Sequence, residues 1–391
     1  MIYTALPTGS FHGWGVCGKY IVKELSNLTE VKLITEELNF DNILDEFDFR
    51  LLKSKLIPTQ EHEAIKNSIA PYISFPLLQC ITGNTLEPMI PNLRGNITVG
   101  YTFFEENILP KSSLENGRRY FDLIVTGSSW CEEVLRNYEM KNIRTIIQGI
   151  DPTIFNPVRS KKEYFKDLFV IFSGGKFELR KGQDIVIKAF KVLQDKYKDV
   201  MLINSWFNFW PASFLTMKAS LYITFSTNEN DYSVMVNETL AENGIDLNRV
   251  ITLPPSPNIM MPRIYKNSDI GLFPNRCEGG TNLVLMEYMA CGKPVIASFN
   301  TGHKDILTDS NSIKLVDMRS VTITHDNIKT AIWDEPSLDE TISKLEWAYH
   351  HRDALSGIGT RAGEDLSKIT WEKTAKDFYA ILEYGNTEKS T

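Results

Sequence analysis

Cysteine is scarce in this chain and never spaced to bind zinc or to build a disulfide framework. The five cysteines (Cys17, Cys80, Cys131, Cys277 and Cys291) are odd in number, widely separated and free of any C-x-x-C pair. This pattern predicts a reduced, intracellular protein. No apolar run approaches the roughly 20 residues of a membrane-spanning helix. No basic segment followed by an apolar core opens the chain, as a secretory signal would, so a cytoplasmic location is expected. Positive charge is also short: 42 Lys and Arg against 49 Asp and Glu give a formal charge of -7, the opposite of a nucleic-acid binder's footprint. Residues 36–48 hold Glu36, Glu37, Asp41, Asp45, Glu46 and Asp48 with no Lys or Arg. Anionic lipid would repel such a face, so membrane association is not indicated. The 6 histidines include one adjacent pair, His350-His351, and nothing has metal-ligand spacing. Repeats and low-complexity tracts are absent.

What is present is an ordinary globular composition, 42% hydrophobic and 23% charged, over 391 residues. That length exceeds one ordinary core, so two domains are expected. Short apolar runs at 2–6, 31–35, 97–101 and 123–126 read as strands, with helical patterns at 16–26 and 129–138. Prolines at 58, 71, 76, 88 and 91 break up the middle of this half. Asp151-Pro152 through Pro157, followed by the charged Arg159–Glu163, marks a linker. The rhythm then restarts with strands at 169–173, 200–204, 250–253, 270–273 and 295–298, and helices at 183–196 and 260–267. A last helix runs from 370 to about 383, carrying Trp371, Phe378 and Leu382. Strands alternating with helices predict parallel sheets covered on both faces. The expected division is 1–157, 158–369 and a closing segment 370–391.

The most informative stretch is Glu278-Gly279-Gly280-Thr281-Asn282-Leu283-Val284-Leu285-Met286-Glu287, continuing through Ala290-Cys291-Gly292-Lys293-Pro294 to the β-branched run at Val295. Backbone N–H groups of Gly280, Thr281, Asn282 and Leu283, at the positive end of a short helix, suit a phosphate or diphosphate. Glu287 lies one to two turns into that helix among Leu, Val and Met, where a lone carboxylate is costly unless paired. Ribose hydroxyls beside a bound diphosphate would pair with it. Directly after a strand, Gly174-Gly175-Lys176-Phe177-Glu178-Leu179-Arg180-Lys181-Gly182 supplies three cations able to neutralise a departing diphosphate. Alone, such a turn is more often a solvated surface; beside the Glu287 element it reads as function.

Residues 172–189 and 278–298 together resemble the C-terminal half of the retaining, GT-B-fold glycosyltransferases of family 4. The resemblance implies an α/β fold of two Rossmann-like domains facing across a cleft, with a closing helix crossing back to the first. It also implies a nucleoside-diphosphate-sugar donor, no further cofactor and no metal-binding Asp-x-Asp. On this basis Lys176 and Lys181, with Arg180, take the diphosphate, and Glu287 takes the ribose. The family's first glutamate lies eight positions before its second. Glu278 lies nine before Glu287, so either the loop holds an extra residue or Gly279 fills that slot. Residues 121–129, 148–157 and 301–305 resemble further family segments.

The first loop, Gly13-Trp14-Gly15-Val16-Cys17-Gly18, is G-x-G-x-x-G. The resemblance places Gly15 on the donor phosphate from the acceptor side. A dinucleotide fingerprint is the rival, with Glu36 or Glu37 at the ribose, but six residues (Pro7–His12) separate Gly13 from its strand. The family's usual histidine after the fourth strand is replaced by Gly100-Tyr101-Thr102-Phe103-Phe104-Glu105-Glu106. Glu105 is a candidate sugar or acceptor contact there, equally readable as a solvent-facing carboxylate. His303 has a better claim to the sugar than His12. Trp206, Phe207, Phe209 and Trp210 read as packing under a loop. The expected function is therefore transfer of a sugar to a glycan, lipid-linked or protein acceptor. Glu278 and Glu105 are the candidate catalytic acids, and the front-face attack implied by the resemblance leaves no named nucleophile. A nucleotide-sugar epimerase and an NAD-dependent oxidoreductase are the alternatives.

Overall fold

The computed structural model describes residues 1–388 other than 36–37, 159–161, 226 and 228–231. Glu36, Glu37 and the first residues of the charged linker lie outside the described residues. Two parallel sheets organise the chain. The first runs in the order Val31–Leu33, Ile2–Ala5, Leu77–Thr82, Thr98–Thr102, Leu123–Thr126, Ile143–Thr145, with Glu87–Pro88 added antiparallel to Leu77–Thr82. The second runs Val250–Thr252, Val200–Ser205, Phe169–Gly174, Ile270–Phe273, Val295–Ser298, Ile313–Leu315. In chain order the second sheet is 3-2-1-4-5-6, the Rossmann arrangement. The first is 2-1-3-4-5-6, the flavodoxin-like variant of the same doubly wound scheme.

The strands form where covered parallel sheets demand continuous apolar runs. Phe169–Gly174 is buried throughout and pairs on both sides. The helix Gln183–Lys196 follows because Ile185, Val186, Ala189, Phe190 and Leu193 repeat at helical spacing and bury one face. The sequence pattern missed the strand Leu77–Thr82, which lies among the prolines. It also missed the helix Arg352–Leu366 and the antiparallel hairpin Met318–His325/Ile328–Pro336.

The helix Trp371–Glu388 packs on Gly13–Leu25. Trp371 stacks on Tyr20 with ring centres 5.4 Å apart, and Phe378 meets Tyr101 edge-on at 4.9 Å. The hairpin reaches the other way. The Ile108 amide donates to the Thr330 carbonyl at 3.0 Å, and Trp333 Nε1 donates to the Glu105 carbonyl at 2.7 Å. Helix and hairpin thus hold the two sheets' loop ends against one another. No helix among the described residues is long and apolar enough to cross a membrane.

Candidate active site

Phe169–Gly174 and Ile270–Phe273 are neighbours at the point where the second sheet's order reverses. Loops leaving such a pair diverge and open a crevice at the carboxyl ends of the strands. The two loops are the basic turn and the segment leading to Glu278. An alanine-sized side chain at Gly174 would meet Val284 Cγ1 at 2.8 Å, so the turn sits directly on the first turn of the Glu287 helix.

The cations of the turn differ in what they face. Lys181 Nζ lies 2.6 Å from Glu278 Oε1. Arg180 contacts Glu178, Glu278 at 3.2 Å and Glu105 of the first domain at 3.4 Å, and donates to the Cys277 carbonyl. Lys176 is the most exposed, with 40% of its side chain open. It lies 3.7 Å from Glu178 and 5.0 Å from the centre of the Trp210 ring. Arg180 and Lys181 are therefore enclosed in ion pairs, a neutralisation that the sequence reading of three cations able to meet a diphosphate did not include. Burial alone would raise the Glu278 carboxyl, but Lys181 and Arg180 override it and hold it down at about 2. Burial pulls the Lys181 ammonium below its ordinary value, against the attraction of Glu278.

The backbone around Glu278 is fixed on both sides. Its N–H donates to Thr301 Oγ1 at 2.8 Å, and its carbonyl accepts from the Gly302 amide at 3.0 Å. Thr301 takes a φ of 38°, a left-handed conformation costly for a β-branched residue and characteristic of functional loops. A Cβ on Gly302 would lie 1.8 Å from the Gly280 carbonyl oxygen, so only glycine fits. Gly279 is equally constrained. A Cβ there would strike the Phe104 backbone at 2.3 Å, and its carbonyl accepts from Ser128 Oγ at 2.7 Å. No side chain can project from position 279.

Helix Leu283–Ala290 begins after Asn282, whose φ is 63°, and no side chain caps its amino end. Thr281 is buried, its hydroxyl 2.9 Å from Met286 Sδ. His303 is fully buried. Its Nδ1 donates to the Ser298 carbonyl at 3.0 Å, leaving Nε2 to accept from Asn282 Nδ2 at 3.2 Å. Burial lowers the imidazole to about 4, so it is neutral and serves to hold Asn282. Glu287 is only 4% exposed. Asn258 Nδ2 donates to its Oε1 at 3.1 Å and the Tyr265 hydroxyl to its Oε2 at 3.3 Å. Burial dominates over these contacts and over Lys19, and lifts the carboxyl to about 8.

The first domain closes the crevice from the other side. Helix Gly13–Leu25 begins three residues earlier than its apolar pattern suggests, so the glycines lie within its first turns. Its cap is His12, whose Nδ1 accepts the Gly15 amide at 3.1 Å; that N–H is already committed. Gly13 approaches Leu283, and His12 meets Trp210 edge-on at 5.8 Å. Burial and then Lys176 lower the His12 imidazole. The aromatic cluster after Val200–Ser205 is divided. Trp206 is buried and donates to Ser173 Oγ, whereas Phe209 and Trp210 are 49% and 45% exposed.

The fold thus gathers Lys176, Arg180, Lys181, Glu105, Glu278, Gly280, Thr281, Asn282 and Leu283 where loops of the two domains meet, with Gly13 against Leu283 and Gly15 turned toward Gly9 and His12. Glu287 lies one turn deeper along its helix. Sequence reasoning missed Asn258 and Tyr265, which hold Glu287. It also missed Arg276, which makes a two-armed pair with Asp184 at 2.8 and 2.9 Å and a third bond to Glu335 at 2.8 Å. The signal for Arg276 was modest: a lone Arg two places before Glu278, straight after an apolar strand.

Residues 229–332 match the protein family described as Glycosyl transferases group 1. Over 122 residues the chain is 31% identical to D-inositol 3-phosphate glycosyltransferase of Mycolicibacterium smegmatis. The aligned part is 30% of this chain and spans only 28% of that protein. Among solved structures, HepE of Anabaena in complex with UDP and glucose aligns over 98% of this chain and 99% of its own, with a TM-score of 0.64 at 13% identity. Sucrose-phosphate synthase of Thermosynechococcus elongatus aligns over 98% of both chains, with a TM-score of 0.66 at 12% identity. Residues 229–332 thus resemble the group 1 glycosyl transferases, and the two parallel-sheet domains share the GT-B fold of HepE and the synthase.

Proposed function

We propose that this protein is a retaining, metal-independent glycosyltransferase that moves a sugar from a nucleoside-diphosphate donor to an acceptor hydroxyl, in glycan or surface-polysaccharide assembly. One observation carries the reading. The cations of the 176–181 turn, the uncapped amino end of helix Leu283–Ala290 and the Glu287 carboxylate lie along a single crevice at the second sheet's switch point. This arrangement supports a reading in which the diphosphate meets the cations and the helix end, and the ribose meets Glu287. The complex of HepE with UDP and glucose supports the same assignment by likeness of fold.

In this reading the charge that develops on the leaving diphosphate is met by Lys176, Lys181 and the amides of residues 280–283, all fixed before reaction. Fully ionised, Lys176, Arg180 and Lys181 balance Glu105, Glu178 and Glu278, three charges against three. An arriving diphosphate therefore competes with carboxylates for the cations, and the exposed Lys176 meets it first. Glu278 orients Lys181, and Glu105 reaches Arg180 across the domain boundary at the sugar end. His303 positions Asn282. Closure of the first domain excludes water that would hydrolyse the donor.

The test is a thermal-shift screen with nucleoside diphosphates and nucleotide sugars, followed by assay of diphosphate release with candidate glycan, lipid-linked and peptide acceptors. A ligand at one hundred times its Kd adds about 2.7 kcal/mol of stability. Glu287→Ala and Lys181→Ala are each expected to lose most of that gain while remaining folded. If both variants bind the best ligand as the parent does, the site assignment fails.

A further inference from the structure

The loop between Val250–Thr252 and helix Pro262–Lys266 sets against Glu287 one side chain that the reaction above leaves unused. Asn258 is 8% exposed. Its backbone N–H donates to the Ser10 carbonyl of the first domain at 2.9 Å, and its Nδ2 donates to Glu287 Oε1 at 3.1 Å. Once Glu287 is ionised, as it is when sugar hydroxyls donate to it, only the amide nitrogen of Asn258 can donate to it. Asn258 Oδ1 is then a buried acceptor with no hydrogen-bond partner among the described residues. Buried side-chain carbonyls are rarely left without a donor, because an unmade hydrogen bond carries the full desolvation penalty.

The chemistry of a missing donor can be specified. Oδ1 and Nδ2 share one carbon, so the idle acceptor stands next to an acid that the same amide holds in place. Two acceptors side by side suit two donors on adjacent carbons, as in a vicinal diol. We infer that Asn258 is a specificity-determining residue of the nucleotide site, accepting a hydrogen bond from one ribose hydroxyl while Glu287 accepts from its neighbour. The inference rests on the nucleotide reading of the crevice given above. It also couples the ribose to the first domain, since the residue that reads the sugar is tied to Ser10. Ser10 is in turn held by Lys19 Nζ at 3.0 Å and by its own bond to the Ile43 carbonyl at 2.8 Å.

The experiment measures Kd by calorimetry for UDP, GDP and ADP and their 2′-deoxy and 3′-deoxy counterparts, against the parent, Asn258→Ala and Asn258→Asp. The parent is expected to prefer the ribonucleotide over at least one deoxy form by about tenfold, the worth of one hydrogen bond to a charged or buried partner. Asn258→Ala is expected to bind the two forms within about twofold of each other, a change of ratio that loss of packing alone would not produce. Asn258→Asp keeps an acceptor oxygen in place and shares a proton with Glu287, so it is expected to retain the preference even if the alanine variant fails to fold. An unchanged preference in Asn258→Ala overturns the inference and leaves the nucleotide site standing. So does loss of the preference in a folded Asn258→Asp. A parent that binds none of these nucleotides overturns the site reading and this inference with it.

Discussion

Glu278 and Glu287 are each 4% exposed and stand nine residues apart on one loop and the helix it feeds, yet they are held in opposite states. Glu278 faces Lys181 and Arg180 and is driven down to about 2. Glu287 faces an amide and a phenol and rises to about 8. Burial is common to both; the partners decide. The loop is thus built around a permanent charge, while the helix keeps an acid ready to ionise when better donors arrive.

Removing a partner from the charged loop should break this comparison most violently. Lys181→Ala leaves Glu278 buried with Arg180 as its one remaining cation and Asn275 as a neutral donor, and removal of one member of a buried pair costs about 3–5 kcal/mol. Urea denaturation of the variant checks this. Adding Glu278→Gln to it should restore much of the loss, and a double variant no more stable than Lys181→Ala would deny that the pair is the cause.

The next effect is a contrast in pH response. Below its ordinary value of 4.5 the Glu287 acid is protonated in the folded and unfolded chain alike, and its contribution is complete. As pH rises toward about 8 only the unfolded chain ionises, so stability is lost, at up to about 1.4 kcal/mol per pH unit. Glu278 acts in reverse, its contribution present above 4.5 and lost as pH falls toward about 2. His303 also loses stability on acidification, between 6.5 and about 4, so the Glu287 slope is best read from pH 6.5 to 8. Glu287→Gln should flatten stability over that range relative to the parent; parallel curves would show that the acid is already ionised.

Smallest is the effect of Tyr265→Phe, which removes one neutral donor to Glu287 at a cost of about 1 kcal/mol. It should also push the Glu287 acid higher, moving the end of the pH slope upward. Carbonyl-region infrared spectroscopy of the folded variant, with Glu287→Gln for assignment, measures that displacement directly.

The difference between the two acids was only half legible in the sequence. Apolar neighbours at 283–286 and 289–290 marked Glu287 as buried, and the glycines at 279 and 280 marked a tight loop. Nothing within either segment identified Glu278's cationic partners, which come from 97 and 98 positions away. Strand periods and the switch-point loops were readable because local pattern determines them. The hairpin 318–336 was not, because its first strand buries no residue and its buried Ala331 and Trp333 pack on Cys277 and Trp130, far away in sequence. The basic turn was seen as cationic but not as neutralised, since charge balance depends on tertiary partners. Asn258 lay beyond reach for the same reason: an Asn in a proline-rich loop looks like turn chemistry until the fold sets it against an acid.

The stacking of Trp371 on Tyr20 has a consequence for how the molecule assembles. Tyr20, Tyr101 and Phe378 share one hydrophobic cluster with Trp371, so the half synthesised first includes packing that only the half synthesised last can supply. A nascent chain halted before residue 371 would leave the aromatic face of Tyr20 bare. Domains usually mature in the order in which they leave the ribosome. Here the first sheet waits for a helix of the second half, so the two halves mature together rather than in turn.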